Sequence, residues 1–593
     1  MGINFRLQCV RQYLTRHHID AVIIPTADPH MSEYLPTHWQ ARAWLSGFTG
    51  SAGTVVVTSD FAGLWTDSRY WVQAQIELNG TGIELKKQGQ DKDIAPFLLD
   101  LFQNSPHTPT VAIDGAMLSV AQQENFKKIF TDDISLTTNK DVIKACWQER
   151  PPLPRHDIMV HDGRFVDMTA CQKLAQVRQK MSELGADFHL ISSLDDIAWL
   201  TNLRGSDVAF NPVFLSHLLI GIDMATLFVD KDKLTDPAMS ALEQAGIAVA
   251  PYDDVAQALG RLGGVLLIDP AKVSVSTLSL LNHDNVVHAT NPSTLLKAIK
   301  SDKDIAHIKQ AMRQDGMALC EFFAELEHNL ASGKAISELD VADRLTHHRS
   351  QQAYYVSDSF DTIAGFGGNG AIVHYKATPE RFDWLKGNGL LLIDSGAQYQ
   401  NGTTDITRMV GIGDITDEQK TDITHVLKAH IALASAHFPK GLPSPQIDIV
   451  ARVKLWGVGK DYGHGTGHGV GYFLNVHEGP HAISYTAPQT PERALQAGMI
   501  TSNEPALYRQ GKWGIRLENL LVVQKAPDSE FGEFLCFENL TLCPFDTRLM
   551  LPQLLNDDEK TWLNAYHQTV RDELMSGLSA QACAWLIERT QPI

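Results

Sequence analysis

The chain has 593 residues, more than one hydrophobic core can organise, and this length predicts roughly three or four domains. Its 50 basic and 69 acidic residues give a net charge of −19, which argues against nucleic acid as a partner. The first residues lack the apolar run of a signal peptide, and no stretch of about 20 apolar residues occurs, so we expect a cytoplasmic protein without membrane association.

Two segments in the first half of the chain resemble each other, which predicts an internal repeat. In each copy a Val-Arg-Gln triplet opens a helix-like stretch, an apolar run follows, and an Ala-Trp-Leu triplet comes next. The matched segments are 10–12 with 177–179, 20–24 with 187–191, and 43–45 with 198–200. We therefore predict two α/β domains of one type, with a loop twelve residues longer in the first.

Proline-rich segments and a helix start mark the expected domain boundaries. Arg150-Pro151-Pro152-Leu153-Pro154 is a stiff linker, and Asn291-Pro292 marks a second break. Ser301 is then a helix N-cap followed by acidic residues. The expected domains are 1–150, 151–299 and 300–593.

The seven cysteines are widely spaced, odd in number and without a Cys-x-x-Cys pair. This distribution is not that of a disulfide framework, because such frameworks use even numbers of closely spaced cysteines. We expect reduced thiols.

The third domain carries the residues with chemical potential, beginning with two aspartates. Asp394 ends a strongly apolar run, and Asp405 lies in a second β-prone run beyond the turn signal Gln400-Asn401-Gly402. A two-residue Asn-Gly turn would pair Asp394 with Met409, so a bulge or a wider loop is needed to bring the carboxylates together. The alternative is that both aspartates only end strands.

Three histidines follow within a glycine-rich stretch: His464, His468 and His477. The glycines disfavour a helix, so His464 and His468 are not the helical pair of a His-Glu-x-x-His zinc protease. A lone histidine is usually a core residue, but three within fourteen positions favour a site.

Glu504 and Glu518 form a second acidic pair. Their positions average to 511, which is a glycine, so a hairpin turning at Gly511 would set the two carboxylates opposite each other. Like charges opposed across a ladder repel, and a cation between them would make the pairing favourable. Arg516 shares a face with Glu518 and could orient it.

Together these residues predict a metal centre made of four carboxylates and one imidazole: Asp394, Asp405, His468, Glu504 and Glu518. The set is too rich in oxygen for a structural zinc site and suits two divalent ions such as manganese or cobalt. Two-metal sites of this kind activate a water molecule as nucleophile.

A glycine pattern at 365–370 satisfies the dinucleotide fingerprint G-x-G-x-x-G. The run 371–375 that follows is apolar and strand-like rather than helical, so we reject a phosphate-binding interpretation.

In this order and at these spacings, the motifs resemble the pita-bread metallopeptidases, a family that contains methionine aminopeptidase, prolidase, aminopeptidase P and creatinase. The stretch 464–480 is most similar to the cytosolic, three-domain aminopeptidase P (Xaa-Pro aminopeptidase) branch. Segments 46–53 and 67–70 are similar to the creatinase-like N-terminal domain.

The resemblance implies an α/β fold with two creatinase-like N-terminal domains and a C-terminal pita-bread catalytic domain. It implies a metallo-aminopeptidase that hydrolyses the N-terminal Xaa-Pro bond through a water or hydroxide bridging two divalent metal ions. Manganese is the usual metal, with cobalt or zinc as alternatives. The implied partners are peptides with proline in second position and a second copy of the chain, as a homodimer.

The same resemblance assigns roles to residues. Asp405 and Glu518 would bridge the metals, Asp394 would complete one ion's shell, and His468 and Glu504 would complete the other's. Glu504 would also be the general base. The implied substrate-binding residues are His374, His464, His477 and Arg516, and the three histidines would also stabilise the tetrahedral intermediate.

Two alternatives stay open. The same metal site could serve prolidase or methionine aminopeptidase activity, which substrate length would distinguish. Some pita-bread proteins have lost their ligands and act as binding modules, and the presence of all five ligands here argues against that class, as it does against creatinase.

Overall fold

The structure, a computed structural model, describes residues 2–527 and 529–593. The chain forms two compact units. The first comprises 1–161 and 168–294, and the second comprises 162–167 and 295–593. Within the described residues, no helix is long and apolar enough to span a membrane.

A six-stranded mixed sheet with surrounding helices forms the first part of the first unit. Its strands are β1 (Ala21–Pro25), β2 (Thr54–Thr58), β3 (Ala62–Thr66), β4 (Glu84–Lys87), β5 (Thr110–Ile113) and β6 (Ser135–Thr137). Its helices are α1 (Ile3–His17), α2 (Ala41–Ser46), α3 (Trp71–Glu77), α4 (Ile94–Phe102), α5 (Val120–Phe130) and α6 (Val142–Cys146). The strand order is β4-β3-β2-β1-β5-β6.

A second six-stranded sheet follows in the same unit. The strands are β7 (Met159–Val160), β8 (Phe188–Ile191), β9 (Leu203–Arg204), β10 (Ser216–Gly221), β11 (Ala225–Val229), β12 (Ile247–Ala250), β13 (Leu266–Ile268) and β14 (Val286–His288). The helices are α7 (Ala170–Glu183), α8 (Leu194–Thr201), α9 (Asp236–Gln244) and α10 (Val255–Leu259). The sheet order is β12-β11-β10-β8-β13-β14, while β7 and β9 pair separately.

The two sheets confirm the predicted repeat. Their orders correspond strand by strand, and so do their directions: three strands run antiparallel to one another, and the outer partners join parallel. The Ala-Trp-Leu triplets lie in α2 and α8. The extra length of the first copy lies between β1 and α2, at residues 26–40. The repeated sequence therefore encodes one topology twice.

In its described residues, the second unit holds three sheets and a two-stranded ribbon. Its helices are α11 (Pro292–Ala298), at whose middle the unit begins, α12 (Asp302–Ala331), α13 (Glu338–Ser350), α14 (Asp417–Ala434), α15 (Asp448–Trp456), α16 (Asp557–Leu574) and α17 (Ala580–Arg589). Its strands are β15 (Tyr355–Asp358), β16 (Ile363–Phe366), β17 (Gly389–Ser395), β18 (Ala397–Tyr399), β19 (Gly402–Thr403), β20 (Ile406–Ile412), β21 (Phe438–Pro439), β22 (Gly467–Gly469), β23 (Glu478–Ile483), β24 (Ile500–Asn503), β25 (Ala506–Arg509), β26 (Trp513–Arg516), β27 (Asn519–Lys525) and β28 (Phe534–Asn539). The sheets are β15-β18-β19, β16-β17-β20 and β21-β28-β27-β24-β22-β23, and β25 pairs with β26.

Helix α12 contacts two of these sheets through different parts of its length. Its start follows the predicted capping pattern, because the Ser301 hydroxyl accepts from the Asp304 amide and the Asp304 carboxylate accepts from the Ser301 amide. Ile308 and Met312 pack in a core that includes strands β24 and β27. Leu319 and Phe322 pack in a core that includes β17 and β20. One long helix thereby fixes two sheets around the residues described below.

All seven cysteines are thiols, in agreement with the prediction. The Sγ atoms of Cys9 and Cys146 lie 2.7 Å apart, between α1 and α6.

Candidate metal centre

The two aspartates are brought near each other by a hairpin whose turn differs from the expected one. Asp394 pairs with Thr407, and Tyr399 pairs with Gly402, so a single register continues from β17 and β20 to β18 and β19. The turn therefore lies at Gln400-Asn401, one position before the Asn-Gly pair. The prediction of a bulge or a wider loop is wrong, because this shift alone places Asp405 diagonally across from Asp394.

A close backbone approach keeps this hairpin narrow beside the carboxylates. A Cβ atom on Gly396 would lie 2.0 Å from the Thr404 carbonyl oxygen and 2.2 Å from the Ser359 hydroxyl. Only glycine fits at this position. Asp394 and Asp405 are both buried, with 8% and 5% of their surfaces exposed.

The predicted hairpin centred on Gly511 is confirmed. Ala506 pairs with Arg516 in the ribbon, and Asn503 pairs with Asn519 in the neighbouring sheet. Both pairs belong to one register, which sets Glu504 opposite Glu518. Gly511 has a φ of +71°, the left-handed conformation that this turn requires.

Backbone pairing between the two strands is interrupted at Glu504 and Glu518, whose amides donate to two other segments instead. The Glu504 amide donates to the Thr466 carbonyl, and the Glu518 amide donates to the Thr407 carbonyl at 3.2 Å. The Thr407 hydroxyl also donates to a Glu518 carboxylate oxygen at 2.8 Å. The glutamates are therefore held by the strands that carry His468 and Asp405.

His468 lies on β22 and faces three of these carboxylates. Its Nε2 lies 3.6 Å from Asp405 Oδ2 and 3.5 Å from Glu504 Oε1. One ligand atom each from Asp405, His468 and Glu518 lie within 4.8 Å of one another, which is close enough for a common metal ion. The Nδ1 atom lies 2.9 Å from the Gly469 carbonyl, to which it must donate. This tautomer directs the Nε2 lone pair towards the acids, as in metal-binding histidines.

Asp394, Asp405, Glu504 and Glu518 form an acidic cluster that is electrostatically unfavourable without cations. Burial and the neighbouring charges of Asp394 and Glu504 hold the pKa of Asp405 well above its usual range. Burial raises the pKa of Glu504 to about 7, although Arg516 acts against this rise. Burial, with Asp405 as the strongest neighbouring acid, raises the pKa of Glu518. One Asp394 carboxylate oxygen is buried with no hydrogen-bond donor among the described residues. These donors fit a pair of hard divalent ions.

Arg516 is the fully buried cation of this cluster. Its guanidinium donates to Asp394 Oδ2, to the Thr407 hydroxyl at 3.1 Å and to the Tyr508 hydroxyl at 2.6 Å. It therefore contacts Asp394 rather than Glu518, the partner that the strand pattern suggested.

Tyr508 is a site residue that the sequence analysis missed. Its hydroxyl lies 2.9 Å from His464 Nε2, while His464 Nδ1 lies 2.7 Å from the Gly465 carbonyl. The Nδ1 atom must donate to that carbonyl, so Nε2 accepts from Tyr508. Tyr508 pairs with Gly514 and is therefore diagonal to Arg516 on the same face of the ribbon. The predicted hairpin register already implied this placement, and that was the available signal.

The remaining two predicted histidines lie at different places. His477 directly precedes β23, and its ring contacts that of His468 with centroids 4.3 Å apart and planes at 81°. His374 lies in a turn after a short 3-10 helix, Gly367–Ala371. The predicted strand at 371–375 is therefore wrong, although no α-helix follows the glycine pattern either.

The glycine pattern at 365–370 has a packing role. A Cβ atom on Gly514 would lie 1.7 Å from the Gly370 carbonyl oxygen. This contact lets the segment before His374 lie against β26, the strand that ends at Arg516.

Four family models match successive parts of the chain. They are two creatinase/prolidase N-terminal domain models at 6–146 and 149–304, metallopeptidase family M24 at 306–525, and the C-terminal region of peptidase M24 at 533–593.

Full-length relatives agree with these matches. "Aminopeptidase P2" of Arabidopsis thaliana is 39% identical over 97% of this chain and 86% of its own length. "Xaa-Pro aminopeptidase 1" of Dictyostelium discoideum is 37% identical over 100% of this chain and 97% of its own. The crystal structure of a Caenorhabditis elegans X-prolyl aminopeptidase, described as a cytosolic enzyme with a di-nuclear active site, is 32% identical, covers 100% of both chains and has a TM-score of 0.94.

The chain therefore belongs to the M24 metallopeptidase family, with two creatinase-type domains before the catalytic domain. Within that family it is an enzyme of the Xaa-Pro aminopeptidase type, as its full-length similarity to these relatives establishes.

Proposed function

We propose that this enzyme hydrolyses the N-terminal bond of peptides with proline in second position, with two divalent metal ions held by five side chains: Asp394, Asp405, His468, Glu504 and Glu518. The observation that carries the proposal is the register that sets Glu504 opposite Glu518 beside two buried aspartates. Four acids with one nearby arginine are unfavourable without bound cations.

The metal pair would supply Lewis acidity and an activated water nucleophile, the chemistry of two-metal hydrolases. Asp405 and Glu518 would be the bridging ligands. One ligand atom each from Asp405, Glu518 and His468 lie within 4.8 Å of one another, which supports their use as ligands of a common ion. Manganese is the proposed metal, with cobalt or zinc as alternatives, because carboxylate-rich sites favour hard and borderline ions.

Glu504 would act as the general base. Burial raises the pKa of this carboxyl to about 7 in the metal-free site, so bound cations would be needed to keep it ionised as a base. His477, beside His468, would donate to the oxygen of the attacked carbonyl.

His464, His374 and Arg516 would bind and orient the substrate. Tyr508 links His464 to Arg516 through two hydrogen bonds of 2.9 and 2.6 Å, and this connection fixes the His464 ring. His374 follows the segment packed against β26, which supports its assignment to the same site.

The experiment compares three substrates on metal-stripped enzyme refilled separately with manganese, cobalt and zinc. We expect turnover of an Xaa-Pro-Yaa tripeptide only after refilling, and little turnover of the Xaa-Ala-Yaa control. Exclusive cleavage of an Xaa-Pro dipeptide would indicate a prolidase instead. Unchanged turnover by the stripped enzyme would overturn the metal proposal.

We further infer a cytoplasmic homodimer. Helix α15 exposes Ile449, Val453 and Trp456 on one face, with 40%, 53% and 41% of their surfaces accessible. An apolar stripe of this kind favours association with a second copy. We expect Val453→Asp to convert a dimer to a monomer in analytical ultracentrifugation. A wild-type monomer would contradict the inference.

A further inference from the structure

A buried ion cluster lies in the catalytic unit, outside the proposed metal ligands. The Glu478 carboxylate accepts from Lys297 Nζ at 3.1 Å through one oxygen and from Lys300 Nζ through the other. The side chains of the two lysines are 2% exposed, and that of Glu478 is 0% exposed. Lys297 lies in the last turn of α11, and Lys300 lies between α11 and α12.

Glu478 occupies a special place in the sheet. It pairs with Gly469 across strands β22 and β23. Gly469 directly follows His468, and Glu478 directly follows His477. The backbone at this pair therefore carries both histidines, whose rings are 4.3 Å apart.

The backbone at this point is closely packed and irregular. The register shifts between His468 and Gly469. A Cβ atom on Gly469 would lie 2.1 Å from the Glu478 carbonyl oxygen. The backbone at residues 477 and 478 therefore departs from a regular ladder.

The burial of the cluster favours a role in geometry over a purely stabilising role. A buried ion pair is often no more stable than apolar residues of similar volume, whereas its directional contacts can select one conformation. Two ammonium groups that meet at one carboxylate next to the two histidines suit that second purpose.

We propose that Glu478, held by Lys297 and Lys300, is a positioning residue that sets the His477 ring for catalysis. This inference rests on the proposed function, in which His477 donates to the attacked carbonyl. Glu478 itself touches neither substrate nor metal. It acts by fixing the backbone from which His477 projects.

The test is a double-mutant cycle on the full-length, manganese-loaded enzyme with a tripeptide substrate. The variants are Glu478→Gln, His477→Ala and the double variant. Glu478→Gln keeps the side-chain shape and removes the charge that engages both lysines. We expect it to lower kcat by about 10–100-fold, with KM and metal content unchanged. In the His477→Ala background the same change should cost less than about twofold, because the group it positions is gone.

Lys300→Met provides a second route if Glu478→Gln does not fold. It keeps the contact between Lys297 and Glu478 and removes the one made by Lys300. We expect a smaller kcat loss that also disappears in the His477→Ala background. Glu559→Gln is the matched control, since Glu559 pairs with Lys428 elsewhere in this unit, and it should leave kcat unchanged.

The outcomes separate this inference from the proposed function. Normal kcat in Glu478→Gln and Lys300→Met would overturn the positioning role while tripeptide turnover by the wild type still stood. An equal loss in the presence and absence of His477 would also overturn it, since a merely structural effect does not depend on that ring. Absence of metal-dependent turnover in the wild type would instead overturn the proposed function.

Discussion

The buried acids of the catalytic unit are of two kinds. Asp315 is engaged by the Arg349 guanidinium through two bonds of 2.8 and 3.2 Å and accepts from the Tyr399 hydroxyl at 3.0 Å. In the acidic cluster, by contrast, Asp405 and Glu518 have raised pKa values because burial and other acids oppose their charge. The framework acid Asp315 is thus neutralised by protein side chains, whereas most of the acids in the cluster remain for the proposed metal ions to neutralise.

The variant Asp405→Asn should have the largest effect and tests the difference between the two kinds of acid most directly. We expect metal content and turnover to be lost together, because a proposed metal ligand is removed. In the metal-free state the variant should melt at a higher temperature than the wild type, since one of several mutually repelling acids is gone. Metal analysis and calorimetry on the same samples measure both effects. Full metal content with full turnover would show that the assignment is wrong.

Asp315→Asn should have the opposite effect on stability. It leaves the Arg349 guanidinium, which is 0% exposed, without its carboxylate partner. Breaking a buried pair in this way costs about 3–5 kcal/mol. We expect a lower melting temperature with manganese content per folded chain unchanged. A variant as stable as the wild type would contradict the distinction between the two kinds of acid.

His477→Ala tests a histidine outside the five proposed metal ligands. We expect kcat to fall by about 10²–10³-fold, the usual effect of removing a donor to the transition state. Metal content should be unchanged, in contrast to Asp405→Asn. Steady-state kinetics with metal analysis measures this, and normal turnover in a metal-replete variant would eliminate the proposed role.

The smallest expected effect is a pH dependence of metal-free stability. The pKa of Glu504 is raised to about 7 in the folded state. The contribution of this group to the free energy of unfolding is therefore present below its pKa in the unfolded chain and is lost as the pH rises through 7. The rise of the pKa from 4.5 to about 7 corresponds to at most about 3 kcal/mol of stability. Solvent screening reduces this value, because 18% of the Glu504 side chain is exposed. We expect calorimetry to show that metal-free protein loses stability from pH 5 to pH 8, while manganese stabilises it more at pH 8. A flat metal-free profile would contradict the pKa shift.

The midpoint between Glu504 and Glu518 predicted their register correctly, because a hairpin has one centre and Gly511 can adopt the left-handed conformation that the turn needs. The aspartate hairpin was harder, since Gln400-Asn401-Gly402 offers two turn positions one residue apart. Local turn preference favoured Asn-Gly, whereas the paired strands on either side fixed Gln400-Asn401. Side-chain period also failed for Arg516, whose long side chain reaches Asp394 on another strand.

The sequence by itself determined the duplicated α/β topology, the hairpin at Gly511 and the residues of the acidic cluster, because each depends on local periodicity, glycine placement or the order of motifs. Only the tertiary structure decided which acids meet and which cations they meet. Tyr508 joins His464 to Arg516, and Lys297 and Lys300 reach Glu478 across about 180 positions of the chain. Such contacts depend on how strands from distant segments pack, and no local pattern in the sequence records that packing.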